Sequence, residues 1–135
     1  MIAVAAVATP RRSTRAPHAR VPTLTSPADA QPDRPYGLGM AAYGASRASI
    51  ELLTKAWAAE YGPQNIRVNA VAPGPTLTPT LEPRLEMANE FAKQIPLGRV
   101  AAVHELSDVI TFLATPSAGY INGAIIHVDG GRTAV

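Results

Sequence analysis

Ile66-Arg67-Val68-Asn69-Ala70-Val71-Ala72-Pro73-Gly74-Pro75 is the run of residues on which the fold turns. Residues 66–72 read as a buried parallel strand, because the run lacks the strict alternation of a strand with one wet face. Pro73-Gly74-Pro75 then forces a turn at the strand's C-terminal end. Open α/β sheets bind their ligands at such ends.

Upstream, the segment from Ala41 to Tyr61 has the pattern of one helix, with Gly62 at the position that ends it and Pro63 just beyond. At 100° per residue, Tyr43, Arg47, Ile50, Thr54, Trp57 and Tyr61 fall on one face, and Ala41, Ala45, Ala48, Leu52, Ala56 and Ala59 on the opposite one. A helix apolar on both sides is covered on both sides. One cover is a sheet, and the other is either the rest of the chain or a second subunit docked on the small alanines. Downstream, helical patterns are expected from about Leu81 to Ile95, between Pro79, Pro83 and Pro96, and from about His104 to Ala114. A short apolar strand is expected from Ala124 to Val128. The alternation of helix and strand predicts an α/β architecture.

Tyr43-Gly44-Ala45-Ser46-Arg47 carries the chemistry. Side chains four apart on a helix lie one above the other, so a phenol and a fixed positive charge share a face. A cation beside a phenol favours its deprotonated form, which suits a general acid or base. A tyrosine with a cation four residues later is common on surface helices, and the pair acquires meaning only from the segments C-terminal to it.

In order and spacing, Tyr43 to Arg47, Ile66 to Pro75 with Thr78, and Asn122-Gly123-Ala124-Ile125-Ile126-His127-Val128-Asp129-Gly130-Gly131 resemble the C-terminal half of the short-chain dehydrogenases/reductases, whose signature is Tyr-x-x-x-Lys. The resemblance covers Gly37 to about Gly131. It implies a partial Rossmann-like fold, a doubly wound parallel sheet without its N-terminal dinucleotide-binding half. The implied activity is NAD- or NADP-dependent oxidation or reduction of a hydroxyl/carbonyl pair in a small alcohol or ketone. By the same resemblance Tyr43 is the acid/base and Arg47 stands where the family has lysine, against the nicotinamide ribose. Pro73, Gly74, Thr76 and Thr78 fall in the loop that contacts the nicotinamide end of the cofactor. Arginine keeps the lysine's charge, but its planar guanidinium does not readily give up a proton, so it orients rather than relays. The segment 81–95 takes the place of a substrate-covering lid. His127 and Asn69 are read as structural, and Asp129-Gly130-Gly131 as a packing turn.

Three features of the family pattern have no counterpart in these 135 residues: a Gly-x-x-x-Gly-x-Gly phosphate loop, an Asn-Asn-Ala-Gly segment, and a serine about a dozen residues before the tyrosine. Ser26 is the nearest serine in that direction and lies too far upstream unless the loop is lengthened. The resemblance therefore carries a second reading, a non-catalytic fragment or interaction module that docks on a full-length relative through the Ala41–Ala59 helix face, as part of a homo- or hetero-oligomer. The choice between NAD and NADP, and the substrate, depend on segments not matched here.

Composition sets the remaining bounds. An apolar content of 47% supports one folded domain, and 12 basic against 10 acidic residues give a net charge of only +2. Five arginines (Arg11, Arg12, Arg15, Arg20 and Arg34) and six prolines fall in residues 1–36. Residues 10–36 hold too few large apolar side chains to offset the entropy of ordering, so 1–36 reads as a disordered or unrelated leader, and 37–135 as the domain. An organelle transit peptide or a nucleic-acid-binding arm fits this segment less well, since prolines break the amphipathic helix of the first and the second lacks aromatics and long basic runs. Neither a nucleic-acid nor a membrane partner is expected. The absence of cysteine and the scattering of His18, His104 and His127 leave no thiolate or metal site, and fit a cytoplasmic protein.

Overall fold

The computed structural model describes residues 3–8, 38–79 and 81–134, with side chains from residue 42 onward. β2 (Ile66–Pro73) is the centre of the molecule. It pairs on one edge with β5 (Ile125–Val128) in parallel, Ala70 opposite Ile125 and Pro73 opposite Val128. On its other edge lies β1 (Ala3–Ala8), antiparallel, with Ala3 opposite Val71 and Ala8 opposite Ile66. The sheet order is therefore β1-β2-β5. A second, two-stranded parallel ladder joins β3 (Thr76–Leu77) to β4 (Ala101–Ala102).

Successive residues of a strand point to opposite faces, and β2 uses both. Val68, Ala70 and Ala72 pack toward α1 (Leu38–Tyr61), in a core with Ile50, Trp57, Ala58 and Tyr61. Val71 packs on the other face with Leu113, Ala118, Val109 and Ile110, from α3 (Val103–Ala114) and the short 3-10 turn after it. The result is a helix–sheet–helix sandwich around a strand whose central residues, 67–71, are all buried. This confirms the α/β architecture and explains why residues 66–72 read as continuous rather than alternating.

Cover was expected on both faces of α1, and among the described residues only one is covered. Arg47, Ile50 and Thr54 are buried, and Tyr43, Trp57 and Tyr61 are half-buried. Ala45, Ala48, Leu52, Ala56 and Ala59 are exposed, with Leu52 69% accessible. The helix begins at Leu38, three residues before the expected start, and ends at Tyr61 as expected. The left-handed residue that closes this end is not Gly62 but Asn65 (φ 64°), whose N–H donates to the Gly62 carbonyl at 2.9 Å after an intervening 3-10 turn. Asparagine is one of the few non-glycine residues that visits this region readily.

Two further differences have local causes. The expected helix 81–95 shortens to α2 (Leu85–Ala92), because the amides of Leu81, Glu82 and Arg84 bond into turns at Thr78 and Leu81 ahead of it. Pro83 inside that turn has no amide to give to a helix. Of residues 1–36, read as a disordered or unrelated segment, the structure describes 3–8, which pair with β2; residues 9–37, including Ser26, lie outside the described residues.

Candidate functional site

The site is set by how α1 returns along β2. Asn122 fixes the level: its Oδ1 accepts the Val68 amide at 2.9 Å and its Nδ2 donates to the Ala58 carbonyl at 3.0 Å, so Ala58 and Val68 lie side by side. From Ala58 back to Arg47 is roughly 16 Å of helix, and roughly five residues of strand cover the same distance in the opposite direction. Arg47 is thereby level with Pro73, and Tyr43 lies one turn further out. Along the strand axis, by this rise, the tyrosine and the arginine fall toward the same C-terminal end of the sheet as the loop after β2, about thirty residues away in sequence.

Within the pair, the Arg47 guanidinium carbon lies 4.7 Å from the centre of the Tyr43 ring. The charge therefore rests on the face of the ring, a cation–π contact that orders both side chains and contributes on the order of 0.5–2 kcal/mol. Arg47 is only 8% accessible, and its Nε and Nη1 are buried with no hydrogen-bond acceptor among the described residues. A buried donor left unmade costs about 1–3 kcal/mol, so these two nitrogens are an energetic liability in the absence of an oxygen-bearing group.

The loop after β2 is tightly specified. Gly74 donates to the Val128 carbonyl at 2.9 Å, and a Cβ placed on it would lie 2.7 Å from the Asp129 Cα. Only glycine lets the two strand ends approach this closely. Thr76 Oγ1 donates to the Gly74 carbonyl at 3.0 Å, and the Thr78 amide to the Thr76 carbonyl at 2.9 Å. Pro73, Gly74, Thr76 and Thr78 are all half-buried. A cavity of about 170 Å³ borders the loop at Pro75 and is lined also by Leu97, Arg99, Glu105, His127 and Asp129; neither Tyr43 nor Arg47 reaches it.

Several residues shape this end of the molecule without a local signal in the sequence. Arg67, 5% accessible, donates from Nη2 to the Leu113 carbonyl at 2.8 Å and from Nη1 to the Ile121 carbonyl at 3.2 Å, clamping the end of α3 to β2. Its one visible mark is a charge inside an apolar run. Asn69 is structural as expected: its Nδ2 donates to Ile121 O and its Oδ1 accepts the Ala124 amide. His127 is exposed. Arg99 grips Glu105 through two bonds of 2.7 Å, and Glu105 Oε2 also accepts the Ala102 amide at the start of α3. The Arg99 guanidinium, then the Ala102 amide, hold the Glu105 carboxyl down at about 2. Asp129 is lowered as well, first by the Thr133 hydroxyl. Among the described residues no group of three His, Cys, Asp or Glu is placed to hold a metal ion, and no helix is long and apolar enough to cross a membrane.

A parallel strand buried on both faces, a helix antiparallel to it, and a tyrosine–cation pair at its C-terminal end define a Rossmann-like α/β protein. The chain matches the family model described as enoyl-(acyl carrier protein) reductase over residues 4–133. It is 47% identical over 94 residues to a 3-oxoacyl-(acyl carrier protein) reductase of Thermotoga maritima, covering 69% of this chain and 38% of the relative. It is 45% identical to the trans-4-hydroxycyclohexanecarboxylate dehydrogenase of Sinomonas cyclohexanicum, covering 70% of this chain and 35% of that one. Among solved structures, a short-chain type dehydrogenase/reductase from Mycobacterium marinum matches with a TM-score of 0.64 at 38% identity, over 70% of this chain and 37% of the other. A proposed 2-deoxy-D-gluconate 3-dehydrogenase from Agrobacterium tumefaciens, solved with bound NADP, matches with a TM-score of 0.63 at 35% identity, over 69% and 39%. The chain belongs to the short-chain dehydrogenase/reductase family, and spans about two fifths of the length of the relatives it matches.

Proposed function

We propose that this chain carries the proton-transfer and nicotinamide-facing part of an NAD- or NADP-dependent oxidoreductase acting on a hydroxyl/carbonyl pair. The observation that supports this reading best is the Tyr43–Arg47 stack, with two buried guanidinium nitrogens that have no acceptor among the described residues. Ribose or carboxamide oxygens are acceptors of the kind those nitrogens lack, so the residues present fit the nicotinamide end of the cofactor. The pyrophosphate end has no glycine-rich loop among these 135 residues. When bound, the cofactor supplies or takes the hydride.

The protein's part is the proton and the placement. Tyr43 exchanges a proton with the substrate oxygen through its hydroxyl, and Arg47 fixes the ring from its face while its free donors hold the cofactor's oxygens. Pro73, Gly74, Thr76 and Thr78 present a rigid backbone edge and hydroxyls to the carboxamide. Substrates of the class handled by the relatives, 3-oxoacyl thioesters and hydroxycyclohexanecarboxylates, are the first to try.

A second reading is favoured by the exposed face of α1. Ala45, Ala48, Leu52, Ala56 and Ala59 form an apolar strip on a helix whose other face is already buried. On this reading the chain docks through that strip onto a second copy or a full-length relative and has no activity of its own. Calorimetric titration with NADH and NADPH separates the two. Saturable binding by the isolated chain removes the fragment reading, and no heat at millimolar cofactor removes the oxidoreductase reading.

A further inference from the structure

Residues 74 to 97 leave the sheet after β2, pass through α2 and return before β4, and both ends of this excursion meet at one turn. At its start, Gly74 donates to Val128 O and lies against the Asp129 backbone. At its end, Leu97 donates to Gly130 O at 3.2 Å; a Cβ on Gly130 would lie 2.5 Å from Ile95 Cγ2, and one on Gly131 would lie 3.2 Å from the Pro96 ring. Gly130 and Gly131 have φ of 66° and 89°, so the turn holds a shape that other residues adopt only under strain. Its geometry is held by one carboxylate: Asp129 Oδ1 accepts the Gly131 amide at 2.9 Å, and Oδ2 accepts the Thr133 amide at 3.0 Å and its hydroxyl at 2.6 Å. Between the two ends lies the cavity of about 170 Å³ bordered by Pro75, Ile95, Leu97 and Asp129. Gly74 meets the turn through main-chain contacts, while residues 94–97 meet it through the Gly130 carbonyl, the Ile95 and Pro96 side chains against the glycines, and an exposed bond from Arg132 Nη2 to Gln94 Oε1 at 3.3 Å.

We infer that the Asp129–Thr133 turn is a latch that couples the loop at 74–78 to α2, and that Asp129 is a positioning residue for both. A group that orders the loop then orders α2 through the turn, and loosening the turn frees the two ends together. The coupling is a property of the described fold. It stands whether or not the chain binds a nicotinamide cofactor.

Hydrogen–deuterium exchange followed by peptide mass spectrometry tests it on the whole chain without ligand. Gly74→Ala forces the new methyl against the Asp129 backbone, and is expected to raise exchange in residues 95–98 and 129–133 on the order of tenfold, as well as locally. Thr133→Val adds no bulk and contacts neither end of the excursion; it is expected to speed exchange at both 74–78 and 95–98. Peptides of α1 (50–60) and α3 (106–113) should stay within about twofold of the parent in each variant. A change confined to 72–78 in the first variant and to 131–134 in the second overturns the latch. A uniform rise across all peptides overturns it too, since that would be general loss of stability. Should Gly74→Ala fail to fold, Thr133→Val decides alone.

Discussion

Arg67 Nη2 donates to the Leu113 carbonyl at 2.8 Å from a side chain buried between β2 and α3. Leu113 is in the last turn of α3, whose carbonyls have no partner within the helix and carry the negative end of its dipole. A guanidinium there satisfies a backbone group and complements the charge. Arg67→Ala removes two donor bonds and leaves the Leu113 carbonyl buried without its side-chain partner, while the Ile121 carbonyl keeps Asn69, so a loss of about 1–3 kcal/mol is expected in urea unfolding. Arg67→Lys keeps the charge without the fork and should lose less. Equal stability of Arg67→Ala and the parent would mean that the clamp contributes nothing.

Arg47 lies on the other side of the same strand and is less well paired than Arg67, which leaves only Nε without an acceptor among the described residues. The Nε and Nη1 of Arg47 have no acceptor among them, so Arg47→Met, which retains the length and removes the donors, should stabilise the isolated chain by about 1–2 kcal/mol despite losing the ring contact. The same substitution should weaken nicotinamide-cofactor binding at least tenfold. On the oxidoreductase reading, Arg47→Lys should retain or raise any turnover with a 3-oxoacyl thioester, and Tyr43→Phe should abolish it. Stability and binding that move in the same direction in Arg47→Met would contradict a functional role for the unpaired nitrogens.

The Arg99–Glu105 pair gives a pH dependence. The folded Glu105 carboxyl titrates at about 2 against an ordinary 4.5, so its contribution is fully present above pH 4.5 and is lost as pH falls toward 2. Glu105→Gln should lower Tm at pH 7, with the gap to the parent closing across that window. Both side chains face water, so high salt should narrow the gap as well. A gap unchanged from pH 7 to pH 2 would show that the carboxylate's charge is not what matters.

Leu52 stands at the middle of the exposed strip of α1. Leu52→Glu should leave the isolated fold within about 0.5 kcal/mol of the parent, since the side chain touches solvent. If the strip docks on another copy, sedimentation should show the parent as a concentration-dependent oligomer and the variant as a monomer. Identical sedimentation of the two would remove this face as an interface.

The fold was legible where period and punctuation agree. The run at 66–72 announces a buried strand despite Arg67 and Asn69, and of the two apolar faces read on α1 the six-residue one is the face that is buried. The long-range polar contacts were not legible, because nothing near Arg67 names Leu113 and nothing near Asn122 names Ala58. β1 was missed for a different reason: six Ala and Val residues are too short and too uniform to show a period. In the site, the sequence supplied the residue types and their order. It did not show that the Arg47 charge rests on the ring face, since spacing fixes which side chains are neighbours and leaves their rotamers open.

The antiparallel seating of β1 bears on how the chain comes together. Each β1–β2 pair joins residues about sixty positions apart, so β1 finds its partner only after α1 and β2 have been made. Loop closure over that distance is slow compared with formation of α1. Until then an uncharged Ala/Val hexapeptide waits with its backbone unpaired, and meets any other open strand edge on equal terms with its own. At high expression the yield of folded chain should therefore depend on concentration more steeply than the size of the domain alone would suggest.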